Sequence, residues 1–251
     1  MSNFDPNFAA ARTGYRSDQV AIDAGLRAYM IRVYNYMTAG VALTGLVAWV
    51  TYSAAVVDTG AGLELTQFGQ AIFASPLMWL FLFAPLGLVM LLSFGIDRLS
   101  AGTALTIFFI YAALLGLSLA SIFLVYTHGS IARVFFISAA TFGATSFYGY
   151  TTQRDLTSVG SFMFMGLIGL IIASVVNIFL RSTGLDWAIS VIGVIVFVGL
   201  TAYDTQRIKE SYDVNDDGTI SGRKAVMGAL RLYLDFINLF LMLLRILGDR
   251  R

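Results

Sequence analysis

Long runs without a single charged residue constrain this chain more than any other feature. Such runs occupy Val33–Val57 and Leu65–Ile96, and several more follow along the sequence. A helix needs about 20 apolar residues to cross the hydrocarbon core of a bilayer. The runs are continuously apolar, whereas the strands of a membrane β-barrel alternate in polarity. The sequence therefore predicts membrane-spanning α-helices.

Charged residues mark the ends of the predicted spans. We expect six clean spans at about 33–57, 76–94, 101–126, 134–152, 156–180 and 187–204, and a seventh, charged segment at 225–247. Residues 1–32 form a polar cytoplasmic tail and not a cleavable signal, whose apolar core would lie nearer the start. The predicted fold class is all-α: a polytopic membrane protein whose residues 33–251 form a single seven-helix bundle with a semi-hydrophobic, charged last helix.

Composition excludes the other broad classes of protein. Only 12% of the residues are charged and 58% are hydrophobic, against roughly 25% and 45–50% in soluble domains. The net charge of +1 argues against a nucleic-acid partner, and the absence of cysteine excludes thiolate metal sites and cysteine nucleophiles. We expect no enzymatic activity and no cofactor.

The distribution of lysine and arginine predicts a cytoplasmic N-terminus. Basic residues are enriched in cytoplasmic loops, and here they concentrate in the tail and in the 204–224 region. The predicted outer loops contain only Arg133 and Arg181. The side of the C-terminus stays open, because the last segment would either cross the membrane or re-enter and return.

The last segment carries ionisable residues where a membrane helix should have none. Its polar positions follow helical spacing and form one stripe: Arg231, Asp235, Asn238, Met242 and Arg245. An ionisable residue at mid-membrane costs at least ~2.5–3.5 kcal/mol on insertion scales. The stripe is therefore either a functional site or a structural pairing in which Arg231 neutralises Asp235 one turn away.

Asp204 is the second acidic residue of interest, at the inner end of the sixth span. In one interpretation it lies at the interface and pairs with Arg207. In the other it meets Asp235 inside the bundle. Two close carboxylates cannot both ionise cheaply, so they would share a proton. Such a pair would sense pH and bind a cation when ionised.

Two long motifs carry a family resemblance. Residues 202–209 read AYDTQRIK, and residues 232–240 read LYLDFINLF, followed by Leu243-Leu244-Arg245. Together with the whole architecture they resemble the Bax inhibitor/YccA-like family, also known by its transmembrane Bax-inhibitor motif, and a bacterial member of it. The resemblance implies a seven-helix bundle with the last helix at its centre, in the bacterial inner membrane.

The resemblance also implies a function and partners. It implies that Asp204 and Asp235 form a pair whose protonation opens and closes a calcium leak, and that a membrane-bound AAA protease is a partner. Some family members have a basic latch near the inner end of helix two, where this chain has Asp97-Arg98. Arg231 departs from the family pattern, since a small or uncharged residue is expected one turn before Asp235.

The segment between the last two helices resembles a calcium-binding EF-hand loop over nine residues. Asp213, Asn215 and Asp217 fall on the first three ligand positions, and Gly218 falls on the glycine position. Lys224 stands where a bidentate glutamate should close the site. The segment is either a weak calcium site or an Asp- and Gly-rich turn.

Three functions are consistent with these residues. The first is a pH-sensitive, calcium-leak cation channel gated by Asp204 and Asp235. The second is a regulatory protein that binds a membrane protease and carries no ion flux. The third, an intramembrane aspartyl protease, is disfavoured because no Gly-x-Gly-Asp surrounds Asp235.

Overall fold

A computed structural model describes the backbone of residues 6–59 and 62–251, and the side chains of residues 24–57, 59, 62–81 and 83–251. The helices of this part of the chain are α1 (Pro6–Ala55), α2 (Gln67–Phe73), α3 (Leu77–Gly95), α4 (Ala101–Leu119), α5 (Ile122–Val125), α6 (His128–Thr151), α7 (Thr157–Leu180), α8 (Thr183–Glu210) and α9 (Gly218–Leu247). A short antiparallel hairpin, β1 (Val56–Asp58) and β2 (Leu63–Leu65), follows α1, and a 3-10 turn (Ile96–Arg98) follows α3.

Six helical segments are long and apolar enough to cross a membrane. They are Ala24–Ala55, Leu77–Arg98, Ala101–Val125, His128–Thr151, Thr157–Leu180 and Thr183–Glu210. These segments confirm an all-α, polytopic membrane protein. The predicted count of seven helices is not confirmed, because the described chain contains two additional short helices, α2 and α5, and the charged helix α9 is not among the six apolar segments.

Several predicted boundaries differ from the observed ones. Helix α1 begins well before residue 33, and α8 runs from 183 to 210 where 187–204 is predicted. Taking charges as span ends shortens α8, because Asp186 lies in its first turn and Arg207 and Lys209 lie in its last turn. Those positions suit the helix dipole, so charges there extend the helix beyond the apolar run.

Side-chain caps fix where several helices begin. The hydroxyl oxygens of Ser100, Thr127 and Ser182 accept hydrogen bonds from the backbone amides three residues later, at 3.1, 3.3 and 3.3 Å. Each bond satisfies an amide that has no partner within its own helix. Thr127 is the cap of α6, which therefore begins at His128. The predicted start of this span, residue 134, is six residues too late.

Helix α9 lies at the centre of the bundle. It packs against α1, α4, α6 and α8, and Leu232, Tyr233 and Leu239 are completely inaccessible to solvent. Helices α8 and α6 approach closely at Gly149, where a β-carbon would collide with the backbone oxygen of Ala202. This close contact fixes the part of α8 that carries Asp204.

The bundle has two ends. The N-terminal end carries the connections 96–100, 152–156 and 211–217, and the C-terminal end carries the hairpin, residues 120–127 and the end of the chain. The Thr127 amide donates to the Asp249 carbonyl and the Arg251 amide to the Val125 carbonyl, both at 3.0 Å. These bonds attach the chain's last residues to the end opposite the 211–217 loop. Helix α9 therefore runs the full height of the bundle and does not return.

Candidate functional site: an aspartate pair between the last two helices

Asp204 of α8 and Asp235 of α9 meet inside the bundle. The two carboxyl groups are within hydrogen-bonding contact of each other. Asp235 is 5% exposed, and Asp204 is half-buried. The Oδ2 atom of Asp235 receives no hydrogen bond from any donor in the described part of the chain. Two facing carboxyl groups without another donor satisfy one another only when a proton lies between them.

Arg231 does not neutralise this pair by direct contact. Its side chain is exposed, and none of the ion pairs among the described residues includes Arg231, Asp204 or Asp235. Its positive charge nevertheless acts on both aspartates through space. The structural pairing considered for Arg231 and Asp235 is therefore not formed, and the two carboxyl groups face each other instead.

The other predicted supporting residues on α8 and α9 make their direct contacts elsewhere, although the charge of Arg207 acts on Asp204 through space. The guanidinium of Arg207 donates to the Tyr203 hydroxyl at 2.5 Å, and the Asn238 amide donates to the Leu234 carbonyl of its own helix at 2.8 Å. Arg245 forms an ion pair with Asp186 at 3.3 Å, near the C-terminal end. Arg207 and Asp204 form no direct ion pair among the described residues, and a supporting role of Asn238 stays a prediction.

The latch considered at Arg98 is not formed either. Arg98 is exposed and makes no hydrogen bond to any described residue of α8. The basic residue that does reach the α3–α4 connection is Arg223, at the start of α9, which donates to the Asp97 carbonyl at 2.6 Å. Arg223 therefore fixes the α3–α4 connection by binding the backbone carbonyl of Asp97. Within the described part of the chain, the connection places no charged side chain in contact with Asp204.

A directed chain of hydroxyl groups positions α8 beside Asp204. The Thr205 hydroxyl donates to the Thr201 carbonyl, so its oxygen accepts from Ser146, which in turn accepts from Tyr34. The three bonds measure 2.7, 2.8 and 2.6 Å and join α1, α6 and α8. Sequence reasoning missed these residues; their only signal is a hydroxyl side chain within an otherwise apolar span.

A second hydroxyl chain positions α9 two residues before Asp235. The Thr44 hydroxyl donates to the Ala112 carbonyl at 2.8 Å, so the Tyr233 hydroxyl must donate to Thr44, at 2.5 Å. Phe108 and Tyr111 contact the Tyr233 ring edge-on, with centroids 5.6 Å away in each case. Buried hydroxyl groups with partners in this way specify one arrangement of helices.

Beyond the aspartate pair, the polar stripe of α9 faces α8. Next to this stripe, a β-carbon at Gly193 of α8 would lie 2.8 Å from the Met242 side chain. Met242 therefore fills the space that a small residue leaves on α8. We call this α8–α9 contact the seam; it contains Asp204, Gly193, Asp235 and Met242. The Met242 side chain fills the gap at Gly193 and closes the seam there.

The 211–217 loop uses its acidic residues as turn and cap acceptors. Asp213 Oδ1 accepts from the backbone and side-chain amides of Asn215 at 2.9 and 3.0 Å, and these bonds hold the pKa of Asp213 below its usual range. Asp217 caps α9, and Lys224 pairs with Asp216 at 2.5 Å. The described residues contain no group of three or more acidic, histidine or cysteine side chains able to hold a metal ion. Calcium binding by Asp213, Asn215 and Asp217 stays a prediction.

Gln206 is a further structural residue that sequence reasoning missed. Its amide nitrogen donates to the Arg154 carbonyl and its amide oxygen accepts from the Leu156 amide, both at 2.8 Å. It thereby holds the 152–156 connection against α8, two residues from Asp204. Its presence within the AYDTQRIK motif is the available signal.

Comparison with known proteins agrees with this architecture. A sequence model of the family described as "Inhibitor of apoptosis-promoting Bax1" matches residues 26–251. The chain is 50% identical over 240 residues to the inner membrane protein YbhL of Escherichia coli (strain K12), covering 94% of this chain and 98% of YbhL. It is 48% identical over 235 residues to the uncharacterized protein RP147 of Rickettsia prowazekii (strain Madrid E), covering 94% and 95%.

The chain is also 42% identical over 253 residues to an uncharacterized protein of Caulobacter vibrioides, and this alignment covers 100% of both chains. None of these names specifies a reaction. The family match includes every described helix that contributes to the aspartate pair and to both hydroxyl chains. The chain is an integral membrane protein that belongs to the Bax inhibitor-1 family.

Proposed function

We propose that this protein is a pH-sensitive cation leak, with calcium as the ion carried, and that the aspartate pair is its gate. The observation that carries the proposal is the contact between two interior carboxyl groups without a cationic partner in direct contact. A bundle interior rarely tolerates ionisable residues unless they serve an ion or proton path.

The chemistry of the pair supports a switch between two states. With one shared proton, the carboxyl groups hydrogen-bond to each other and hold α8 against α9. Without that proton, two like charges repel each other at close range, and carboxylate oxygens are the ligands that calcium prefers. Loss of the proton therefore both loosens the seam and creates an attraction for a divalent cation.

The seam supplies the route. A cation that passes the aspartates toward the C-terminal end must displace Met242 from Gly193, where the helices are closed. Asp204 precedes Ser211 by seven residues, which at the helical rise of 1.5 Å places it about 10 Å from Ser211 along the axis of α8. Asp204 is thus nearer the end of α8 that lies at the N-terminal end of the bundle, and its carboxyl group would respond to pH on that side.

We propose that the N-terminal end faces the cytoplasm of a bacterial cell, with the protein in the inner membrane. Basic residues at this end include Arg98, Arg154, Arg207, Lys209, Arg223 and Lys224, in addition to the arginines of the 1–32 tail. Cytoplasmic loops carry such an excess. Because α9 crosses the bundle, the C-terminus would then lie on the opposite side.

Calcium flux into sealed vesicles tests the proposal. We expect reconstituted wild-type protein to admit calcium at a rate that changes with pH, and we expect Asp204→Asn and Asp235→Asn each to abolish that pH dependence. Asp186→Asn is the matched control, since it removes an acidic residue from α8 at the other end of the seam. Unchanged pH dependence in both gate variants would refute the gate.

Absence of flux at every pH would instead favour the alternative function, a regulator of a membrane-bound AAA protease. Docking of such a partner would use the 1–32 tail, in which the side chains of residues 1–23 lie outside the described part of the chain. That partner stays a prediction from the family resemblance.

A further inference from the structure

A long lateral groove separates α1 from α6. Both helices pack against α9, but they make few contacts with each other, so α9 forms the floor of the groove. Two cavities of about 700 and 290 Å³ lie along it. Val41, Phe135 and Phe236 line both cavities, so the two lie next to each other along the groove. Their volumes are in the range of ligand sites, roughly 300–1,000 Å³.

Small residues keep the groove open. A β-carbon at Gly143 of α6 or at Gly45 of α1 would meet nothing within 4 Å. Large apolar side chains such as Phe147, which is 68% exposed, stand at the groove's edge. Because α1 and α6 are membrane-spanning segments, this edge faces the acyl chains of the bilayer and not water.

Basic side chains stand near both ends of the groove, but they differ in place: Arg27 lines the larger cavity itself, whereas Arg251 lies beyond the smaller cavity, 3.3 Å from His128 Nε2. Arg27 lines the larger cavity at the N-terminal end and forms no ion pair with any side chain between residues 24 and 251 that the structure describes. Tyr150 lines the same end, and its carbonyl accepts from the ammonium of Lys209 at 2.9 Å. At the other end, His128 is the one ionisable residue that lines the smaller cavity.

We propose that this groove binds one acyl chain of an anionic phospholipid from the surrounding bilayer, with the lipid phosphate held at Arg27. The lining is mostly apolar, with its few hydroxyl groups such as Tyr34 and Ser146 already bonded to each other, so a hydrated solute would lose most of its polar partners there. An extended peptide would leave its backbone unsatisfied for the same reason. A guanidinium at the level of the headgroups attracts phosphate, so the groove and the cation together match one lipid molecule.

The proposal is independent of ion flux. The floor residue Phe236 contacts Phe135 and Phe142 edge-on, with centroids 5.6 Å apart in each case, and it adjoins Asp235 in the chain. A bound acyl chain would therefore pack directly on the face of α9 next to the gate. Binding can be measured without calcium, so failure of one proposal leaves the other standing.

Photo-crosslinking to full-length protein in vesicles tests the groove. The probe is phosphatidylglycerol with a diazirine on its acyl chain, and the modified residues are mapped by peptide mass spectrometry. We expect adducts to concentrate on the α6 and α9 residues of the groove. Adducts spread evenly over the lipid-facing surface of α7 would overturn the proposal, and this measurement needs no variant.

Matched variants test the two parts of the site separately. Gly143→Leu should fill the groove and eliminate the groove adducts, whereas Gly169→Leu, at an equally open position on α7, should leave them unchanged. Arg27→Gln should reduce competition by phosphatidylglycerol relative to phosphatidylcholine by about fivefold, the effect of one basic residue near the surface. Arg98→Gln, an exposed arginine at the same end, should not. Equal adducts in the two glycine variants would overturn acyl binding, and equal competition in the two arginine variants would overturn headgroup recognition.

Discussion

Replacing Asp235 with asparagine tests whether the carboxyl groups of Asp204 and Asp235 share a proton. The quantity measured is the free energy of unfolding, not ion flux. An asparagine amide can donate to Asp204 the hydrogen bond that a protonated Asp235 would donate, and it carries no charge. Two unit charges about 4 Å apart repel by about 4 kcal/mol at an effective dielectric constant of 20. The wild-type protein should lose up to about that free energy of unfolding when the shared proton leaves, and Asp235→Asn should not.

Unfolding in mixed micelles of increasing SDS content, repeated over a pH series, measures this difference. A pair that shares a proton would retain it in the folded wild type at pH values where the separated carboxylates of the unfolded chain are ionised. Stability falls with rising pH wherever the folded state binds more protons. The variant and the wild type should therefore agree at acidic pH, and the variant should be the more stable protein at alkaline pH.

The control for this measurement is Asp186→Asn. It removes an ion pair with Arg245 whose two side chains are 40% and 43% exposed, so it should cost at most about 1 kcal/mol, with no such growth at alkaline pH. If Asp235→Asn lowers the free energy of unfolding by the same amount at every pH, the two carboxyl groups do not share a proton and the reasoning fails.

Three further predictions concern packing and the loop. Thr44→Val should lower the free energy of unfolding by about 1–3 kcal/mol and Tyr233→Phe by about 0.5–1.5 kcal/mol, because only the threonine change leaves a buried phenol without an acceptor. Unfolding in SDS measures which change costs more. Equal costs would contradict the donation of the Tyr233 hydroxyl to Thr44. Gly149→Ala should cost about 1–3 kcal/mol by overpacking against α8, and an unchanged unfolding midpoint would contradict that close approach. Asn215→Ala should raise the pKa of Asp213 only part of the way to its usual value in a carboxyl-carbon NMR titration, since the hydrogen bond from the Asn215 backbone amide remains. The stabilisation of the folded state that comes from this lowered pKa is present at neutral pH and is lost as the pH falls through the folded-state value. An unmoved titration would show that the bond from the Asn215 side chain is unimportant.

Much of the fold was accessible from charge placement alone. Apolar runs predicted α7 at 156–180, and the structure has it at Thr157–Leu180. Helix α8 was predicted too short, because charges at helix ends are stabilised by the dipole and do not end the helix. The hairpin at 56–65 was missed, since each strand has three residues and lies within or beside an apolar run.

The candidate site was predicted in part. Helical spacing predicted a polar stripe on α9 and named both aspartates, but no spacing along a chain states that residues 204 and 235 touch. Whether Arg231 pairs with Asp235 depends on where a long side chain points, which i,i+4 spacing leaves open. The hydroxyl side chains of Ser146 and Thr44 stand out within apolar spans, but the sequence does not identify their partners, because these lie on other helices.

The central position of α9 has a consequence for how the protein is made. This helix is synthesised after α1, α4, α6 and α8, the helices that it packs against. Until it enters, the membrane must hold the earlier helices as an incomplete ring around an unfilled centre. Its charged residues disfavour stable insertion into lipid alone, so the earlier helices must supply the surroundings that accept it. The six apolar membrane-spanning segments thus act as the template for α9, and truncation before residue 218 should leave an assembly without a core.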